Sequence, residues 1–480
     1  MKQTLRIAAG EWTHLLRTRL AVLTLGLLFT LVAIAAWNSA EQLRAEAAER
    51  LHYQQQADEA YRAQPDRHPH RMVHYGHYVF RTPTPLAVID PGVDAFTGRS
   101  IFLEGHRRNT ATFSEARETS VLTRFGTVSP AFTLQVLVPL LMILIGFSSV
   151  ARERERGILL QLLAQGTRGR ALLQGKALAL AGVAALALLP LVLSALWLGV
   201  QTPAESAPLL VLLGGHALYL AFWVGVIVAV SALASQARTA LIVLIGLWAL
   251  LTVLLPRLAT DVAVVARPAP NQAEIDIRLQ EELRRVGDSH NIEDPGFRSF
   301  QQQVLEQYGV ASIEELPVNY RGLVSLQGEA ESSAVMDRLS AEQHVLQREQ
   351  AGIVRLFALV SPYIAARHLS MSSAGTDLRN HQQFLDAAEA HRFALIQGLN
   401  TLHAQELDFA DDSARSRDPL AEQRTRISSE FWATLQQFDF AGAAAAERVR
   451  TALPLLLALL AWLVLSALLL RHAAGKVEAL

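Results

Sequence analysis

Six predominantly apolar runs alternate with polar blocks along the chain. They are Leu20–Trp37, Pro130–Val150, Ala177–Val200, Pro208–Leu233, Thr239–Pro256 and Ala452–Leu470. Each reaches the roughly 18 residues at which a helix crosses a hydrocarbon core about 30 Å thick, so the pattern predicts six membrane-spanning helices. The third to fifth lie close together within residues 177–256, and the short "ASQAR" between the fourth and fifth reads as a tight turn joining antiparallel helices. The first run begins too late, and is followed by too poor a small-residue cleavage site, to read as a removable signal peptide. It reads as an anchor.

Two polar blocks interrupt the spans, residues 38–129 and 257–451. The first opens with "SAEQLRAEAAERLHYQQQADEAYRAQ", rich in helix formers and free of Gly and Pro, which predicts that the first span continues outward as one helix. "HYVFRTPTPLAVIDPGVDAFTGRSIFLEGH" then spaces Pro and Gly among short apolar runs, as loops and short strands do. The second block carries helical stripes: Val335, Leu339, Leu346, Ile353 and Val360; then Phe384, Ala388, His391, Leu395, Leu399 and Leu402; then a shorter helix marked by Ile427, Phe431, Leu435 and Phe438. These stripes are expected to form the core of one largely helical domain built from both insertions.

Composition sharpens this picture. Apolar residues make up 51% of the chain while charges nearly cancel to -1, so the polar residues are segregated rather than dispersed. Lys2, Arg6, Arg17 and Arg19 precede the first span; Arg152, Arg154, Arg156, Arg168, Arg170 and Lys176 fill residues 151–176; Arg238, Arg471 and Lys476 follow later spans. The alternate short loop, Gln201–Ala207, has no positive charge. The bias predicts both termini (residues 1–19 and 471–480) and the 151–176 loop in the cytoplasm, and both polar blocks in the periplasm. Cysteine is absent, which removes disulfides and thiolate metal sites.

The 151–176 loop ends like a phosphate-binding loop but fails as one. Five residues separate Gly169 from Gly175, and Ala177 stands where a hydroxyl must reach Mg²⁺. Its "RERER" is too charged to enter a bilayer, whereas "GILLQLLAQG" is apolar enough to lie at the membrane surface or meet a partner. On the opposite side, His68, His70, His74 and His77 fall within ten residues and are the candidate metal ligands, imidazole being a common donor to zinc, copper and nickel. Pro69 and Gly76 argue against a regular helix aligning His70 with His74. His106, His368, His381, His391 and His403 are scattered and read as packing residues. The chain has no Gly-x-Ser-x-Gly and no His-Glu-x-x-His, and Asp377, Glu389 and His391 read as ordinary helix polarity rather than an acid–base group. No catalytic residue is assigned.

"ERERGILLQLLAQGTRGRALLQGK", Glu153–Lys176, resembles the cytoplasmic segment of ABC-2 type permeases through Glu155-x-Gly157, Leu159–Leu163 and Gly175-Lys176. "GEWTHLLRTRLAVLTL" is similar to the amphipathic elbow helix that leads into their first span, and Ser361–Asn400 resembles a subgroup with a large periplasmic insertion of unknown function. Ile158, where Thr is frequent, and Gly166-Thr167, in place of a Pro-bearing turn, depart from that pattern. The resemblance implies a mainly α, six-span ABC-2 (type V exporter-like) permease in a bacterial inner membrane, paired with a second permease and embedded in lipid. It implies a separate ABC ATPase that binds ATP and Mg²⁺, no cofactor in this chain, and Glu153, Arg154, Glu155, Arg156 and Gly157 as the ATPase contact. The periplasmic domain would select cargo or dock a periplasmic partner; no nucleic acid is expected. A membrane-anchored sensor, or a metal-handling protein without transport activity, is the alternative reading.

Overall fold

The computed structural model describes residues 2–112, 128–434 and 436–479. Residues 113–127 of the first block, and Leu435 of the expected third stripe, lie outside the described residues. The chain is mainly helical, and six helices among the described residues are long and apolar enough to cross a membrane: Ala21–Arg62, Pro130–Glu155, Gly169–Ser194, Pro203–Leu233, Ala237–Ala266 and Ala445–Glu478. Each predicted span falls within or largely on one of them.

The chain starts with amphipathic α1 (Lys2–Arg17) and, after Thr18, the long α2 (Arg19–Arg62), which carries the first span straight into the polar domain as expected. There follow α3 (Pro69–Tyr75) and the antiparallel pair β1 (His77–Phe80) and β2 (Ser100–Leu103), in register His77 to Leu103. The second span ends in α4 (Val138–Gly146); α5 (Ala151–Glu155) and α6 (Ile158–Ala164) connect it to α7 (Gly169–Gln201), and α8 (Ser206–Leu233) is the fourth span. The fifth span joins α9 (Ala237–Ala249) to α10 (Leu255–Ala266). The second block comprises α11 (Gln272–Val286), α12 (Arg298–Tyr308), α13 (Tyr320–Leu356), α14 (Pro362–Ala374) and α15 (Leu378–Glu406), and the sixth span is α16 (Ala445–Glu478).

The apolar stripes met different fates. Phe384, Ala388 and Leu399 on α15 are buried, as expected of a core face. Of the stripe on α13 only Leu339 is buried, and Val360 lies beyond the helix and is exposed. Among the described residues the third helix does not extend over its expected stripe. Ile427 instead bridges to Arg67 in an antiparallel pair, and only the turn Glu430–Ala433 is helical.

The second block is also not wholly outside the bundle. α13 runs down to a break at residues 357–361, and α14 runs back up between α8 and α16. The depth of this hairpin follows from its partners. Ser361 Oγ donates to the Leu251 carbonyl at 2.7 Å, and the Trp462 indole N–H donates to the Ala358 carbonyl at 3.0 Å. Leu251 and Trp462 lie near the middles of the fifth and sixth spans. Leu251 belongs to a π-helical turn, Leu250–Leu254, that runs into Pro256. Proline offers no N–H to the preceding turn, which leaves carbonyl capacity for Ser361 to fill. The sequence of α14, with Ala365, Ala366, Ser370, Ser372, Ser373 and Ala374 all buried, is what close helix contact inside an apolar bundle requires. At the upper end Arg448 of α16 donates to the Ser373 carbonyl and pairs with Glu205, locking the hairpin to the loop before α8.

Contact between α14 and α8 is close at Gly215, where a Cβ would stand 2.4 Å from Leu369 Cδ2, while one at Gly214 would meet nothing within 4 Å. We therefore expect Gly215→Val to destabilise the detergent-solubilised chain by about 1–3 kcal/mol, the usual result of overpacking. Gly214→Val should leave the melting temperature unchanged. Equal melting of the two variants would refute this seating of the hairpin.

Candidate functional site

Two constellations lie at opposite ends of the molecule. At the end carrying the Arg-rich loop, α5 and α6 form a bent pair whose corner is Gly157, at φ 69°. The left-handed conformation suits glycine there, and it sets the break between α5 and α6. α5 is tied in at several points. Ser231 Oγ accepts the Val150 and Ala151 N–H groups at 3.0 and 3.2 Å, Arg154 donates to the Ala232 carbonyl at 2.6 Å, and Glu155 accepts the Ala237 N–H at the start of α9 at 2.7 Å. Buried Lys176 on α7 bridges Glu11 of α1 and Glu153 of α5, both at 2.6 Å. The residue that sequence placed in a failed phosphate loop is thus a three-helix tie. Ile7 and Trp12 of α1 lie over Gly175 and Gly182 of α7.

Of the residues expected at the ATPase contact, Glu155 and Arg156 are exposed and Glu153 and Arg154 are partly buried. Glu153 and Arg154 face internal partners, the Glu155 carboxylate caps α9, and Gly157 makes the corner. Exposed on the pair are Arg152, Glu155, Arg156, Ile158, Leu160, Gln161 and Ala164. The sequence marks α6 as apolar enough to meet a partner but not which of its residues face outward, because an apolar helix between two spans has no internal mark of its outward face.

At the other end the expected histidine cluster divides three ways. Pro69 and Gly76 do not prevent the helix but bound it: Pro occupies the first position of α3, where no N–H is needed, and Gly76 follows its last residue at φ 71°. His70 and His74 are therefore one turn apart on one face, with Nε2 atoms 3.2 Å from each other. They are joined by His106 from the turn after β2 and His290 from the turn after α11, and one ligand atom from each of the four lies within 4.8 Å of the others. His68 and His77 are elsewhere. His68 caps α3, accepting the His70 N–H on Nδ1, and its Nε2 meets Asp412 at 3.1 Å. His77, on β1, pairs with Asp58 of α2 at 2.9 Å.

Carboxylates orient two of the four converging rings. Glu329 Oε2 accepts the His106 backbone N–H at 3.2 Å and lies 3.1 Å from its Nδ1; Asp288 Oδ1 is 3.1 Å from His290 Nδ1. With Nδ1 engaged, the second nitrogen of each ring is left as a donor to an ion. His106 Nε2 is buried without a hydrogen-bond partner. Among the described residues His106 alone combines a side chain with positive φ, 61°, a conformation that costs of order 1–3 kcal/mol and persists only where surroundings enforce it. Glu329 supplies that enforcement. It is fully buried and held from behind by Arg392 at 2.6 Å, which also pairs with Glu389. Burial alone would raise the Glu329 carboxyl, but the His106 hydrogen bond and Arg392 outweigh it and bring it down to about 2. Burial, reinforced by the neighbouring imidazoles, pushes His70 down to about 2, so it is a neutral ring. An open cleft of about 430 Å³ lined by His70, His74, Arg71 and Arg415 leads to them.

The second group, His68, His403 and Asp412, is fully buried. Asp412 accepts from His403 at 2.7 Å, from Asn319 at 3.0 Å and from His68, and Arg415 lies 3.3 Å away. Burial opposes its charge, but these partners hold the carboxyl far below the usual range. Burial meanwhile lowers His68 to about 4, which makes it a neutral N–H donor. A carboxylate so fully engaged is a packing hub. It anchors the residue that caps α3 and so aims His70 and His74. Asp377, Glu389 and His391 do not converge: Asp377 caps α15, Glu389 holds Arg392, and His391 packs on Phe438.

Residues 273–441 match a family described as a domain of unknown function, DUF3526. The match, about a third of the chain, takes in His290, Glu329, Asp412 and the α13–α14 hairpin, but not α3 or the α5–α6 pair. No curated protein matches the chain.

Removing the hub carboxylate strands several buried donors at once. Asp412→Ala is expected to cost about 3–5 kcal/mol, as breaking a buried charged network does. Denaturant unfolding of the purified chain would measure it, and a loss under about 1 kcal/mol would contradict the assignment of Asp412 as the anchor of α3.

Proposed function

We propose that the chain is the membrane-spanning permease subunit of an ABC-2-type transporter, worked by a separate ATPase that docks on α5 and α6. The observation that supports this most is the wiring of that pair. A load applied to α6 passes through Gly157 into α5, and from there through Lys176 to α1 and α7, through Ser231 and Arg154 to α8, and through Glu155 to α9. An isolated solvated loop needs none of these ties. The likeness of Glu153–Lys176 to the cytoplasmic segment of such permeases points the same way, as does the lack of a phosphate loop in this chain.

In this reading the Arg-rich end faces the cytoplasm of a bacterium and the polar domain faces the periplasm, following the positive-inside bias. The α13–α14 hairpin gives the domain a footing among the fourth, fifth and sixth spans, so spans shifted from below also shift the domain. Cargo recognition on the far side is thereby coupled to nucleotide chemistry on the near side.

Orientation is tested by single cysteines in intact spheroplasts treated with an impermeant thiol reagent. Those at exposed Ser206 and Glu281 should label, and one at Gln165 should label only after lysis. Labelling of Gln165 in sealed cells would invert or abolish the proposed topology.

Docking is tested on the exposed apolar face. Parent chain purified from its native membrane should carry vanadate-sensitive ATP hydrolysis, and Leu160→Asp should reduce it at least about tenfold, equivalent to about 1.4 kcal/mol of association. A parent without associated hydrolysis, or a variant that retains all of it, would overturn the proposal.

A further inference from the structure

We propose that His70, His74, His106 and His290 bind one divalent first-row transition ion in a flattened tetrahedral site, with Zn²⁺ the best-fitting occupant, and that the ion fastens the second polar block to the first. All four donors are imidazole nitrogens. Hard ions such as Ca²⁺ and Mg²⁺ demand oxygen, whereas imidazole suits zinc, copper and nickel.

Geometry narrows the choice. Zinc–nitrogen bonds of about 2.0–2.1 Å in a tetrahedron put neighbouring nitrogens about 3.3 Å apart. His70 Nε2 and His74 Nε2 are separated by 3.2 Å. The ring centroids describe the array as a whole. Four pairs lie 4.7 to 5.3 Å apart, and the two opposite pairs, His70 with His106 and His74 with His290, lie 5.9 and 5.8 Å apart. A square-planar array would make opposite pairs longer than adjacent ones by about 1.4-fold, and a regular tetrahedron would make all pairs equal. The observed spread lies between the two, on the tetrahedral side of a square.

Three features indicate a built site rather than a chance meeting of rings. Glu329 and Asp288 orient His106 and His290 through Nδ1, the arrangement typical of ligating histidines. His106 Nε2 is buried and unpartnered, and its residue is held in a left-handed conformation. The third feature is that the ligands converge from separate segments: α3, the turn after β2, and the α11–α12 turn of the other block. An ion there would tie residues 287–297 to the first block. This inference does not depend on the transport reading.

The test uses the full chain in detergent, with Zn²⁺ in competition against a chromophoric chelator. One Zn²⁺ per chain is expected at micromolar affinity or tighter, and Co²⁺ in its place should give the intense visible bands of four-coordination. His74 and His290 have exposed side chains on different segments, so H74A and H290A should fold as the parent does without metal; H290N serves if H290A does not. Each should lose at least about 100-fold in affinity, while H391A should lose none. Zn²⁺ should slow amide exchange across residues 287–297 in the parent and not in H290A. Unchanged affinity in either H74A or the His290 variant, or a weak six-coordinate cobalt spectrum, would overturn the proposal.

Discussion

A polypeptide break inside an apolar bundle survives only if its backbone polar groups find partners there. The chain meets that constraint at residues 357–361. Trp462 takes the Ala358 carbonyl, and Ser361 spends its hydroxyl on the Leu251 carbonyl in the π turn of the fifth span. Much else in the structure follows from this. Because the turn is satisfied at mid-depth, α14 can return among the spans and lend them its small-residue surface. Because α14 leads directly into α15, the core helix of the polar domain is rigidly positioned over the bundle.

The same economy of partners organises the polar domain. Arg392 neutralises Glu329 and Glu389, Glu329 fixes His106, and Asp412 gathers His68, His403 and Asn319. In these two networks each buried charge is paired, and the pairing also sets the position of a neighbouring group. Removal of one member leaves an uncompensated buried charge, which is why such networks are more costly to break than to lack. The two networks flank the four converging imidazoles, one from the side of His106 and one through the cap of α3.

At the far end, Lys176 performs a comparable task with two carboxylates and little exposed surface. Glu153 and Arg154 are engaged internally while Glu155 and Arg156 stay exposed, so the proposed partner contact runs from these two onto the exposed face of α6. Charge in this loop therefore serves the fold first. The apolar Ile158 and Leu160, flanked by Arg152 and Arg156, remain as the surface a partner would meet.

Six apolar helices long enough to span, the continuous first helix, the presence of short strands and the buried face of α15 were legible in the sequence, because each rests on local periodicity or on Gly and Pro placement that needs no distant partner. The shortened third helix and the half-buried α13 stripe show where that local signal ends. Apolar spacing also could not say that Ser361–Ala374, written into a polar block, lies among the spans; that depends on Leu251, Gly215 and Trp462 arriving from elsewhere. The histidines make the same point more sharply. His68, His70, His74 and His77 are neighbours in sequence, yet helix geometry and two buried carboxylates send His68 and His77 away and bring His106 and His290 in. Which residue types could ligate was written in the composition; which of them meet was decided by packing, since only the folded chain sets distances between segments that the sequence keeps far apart.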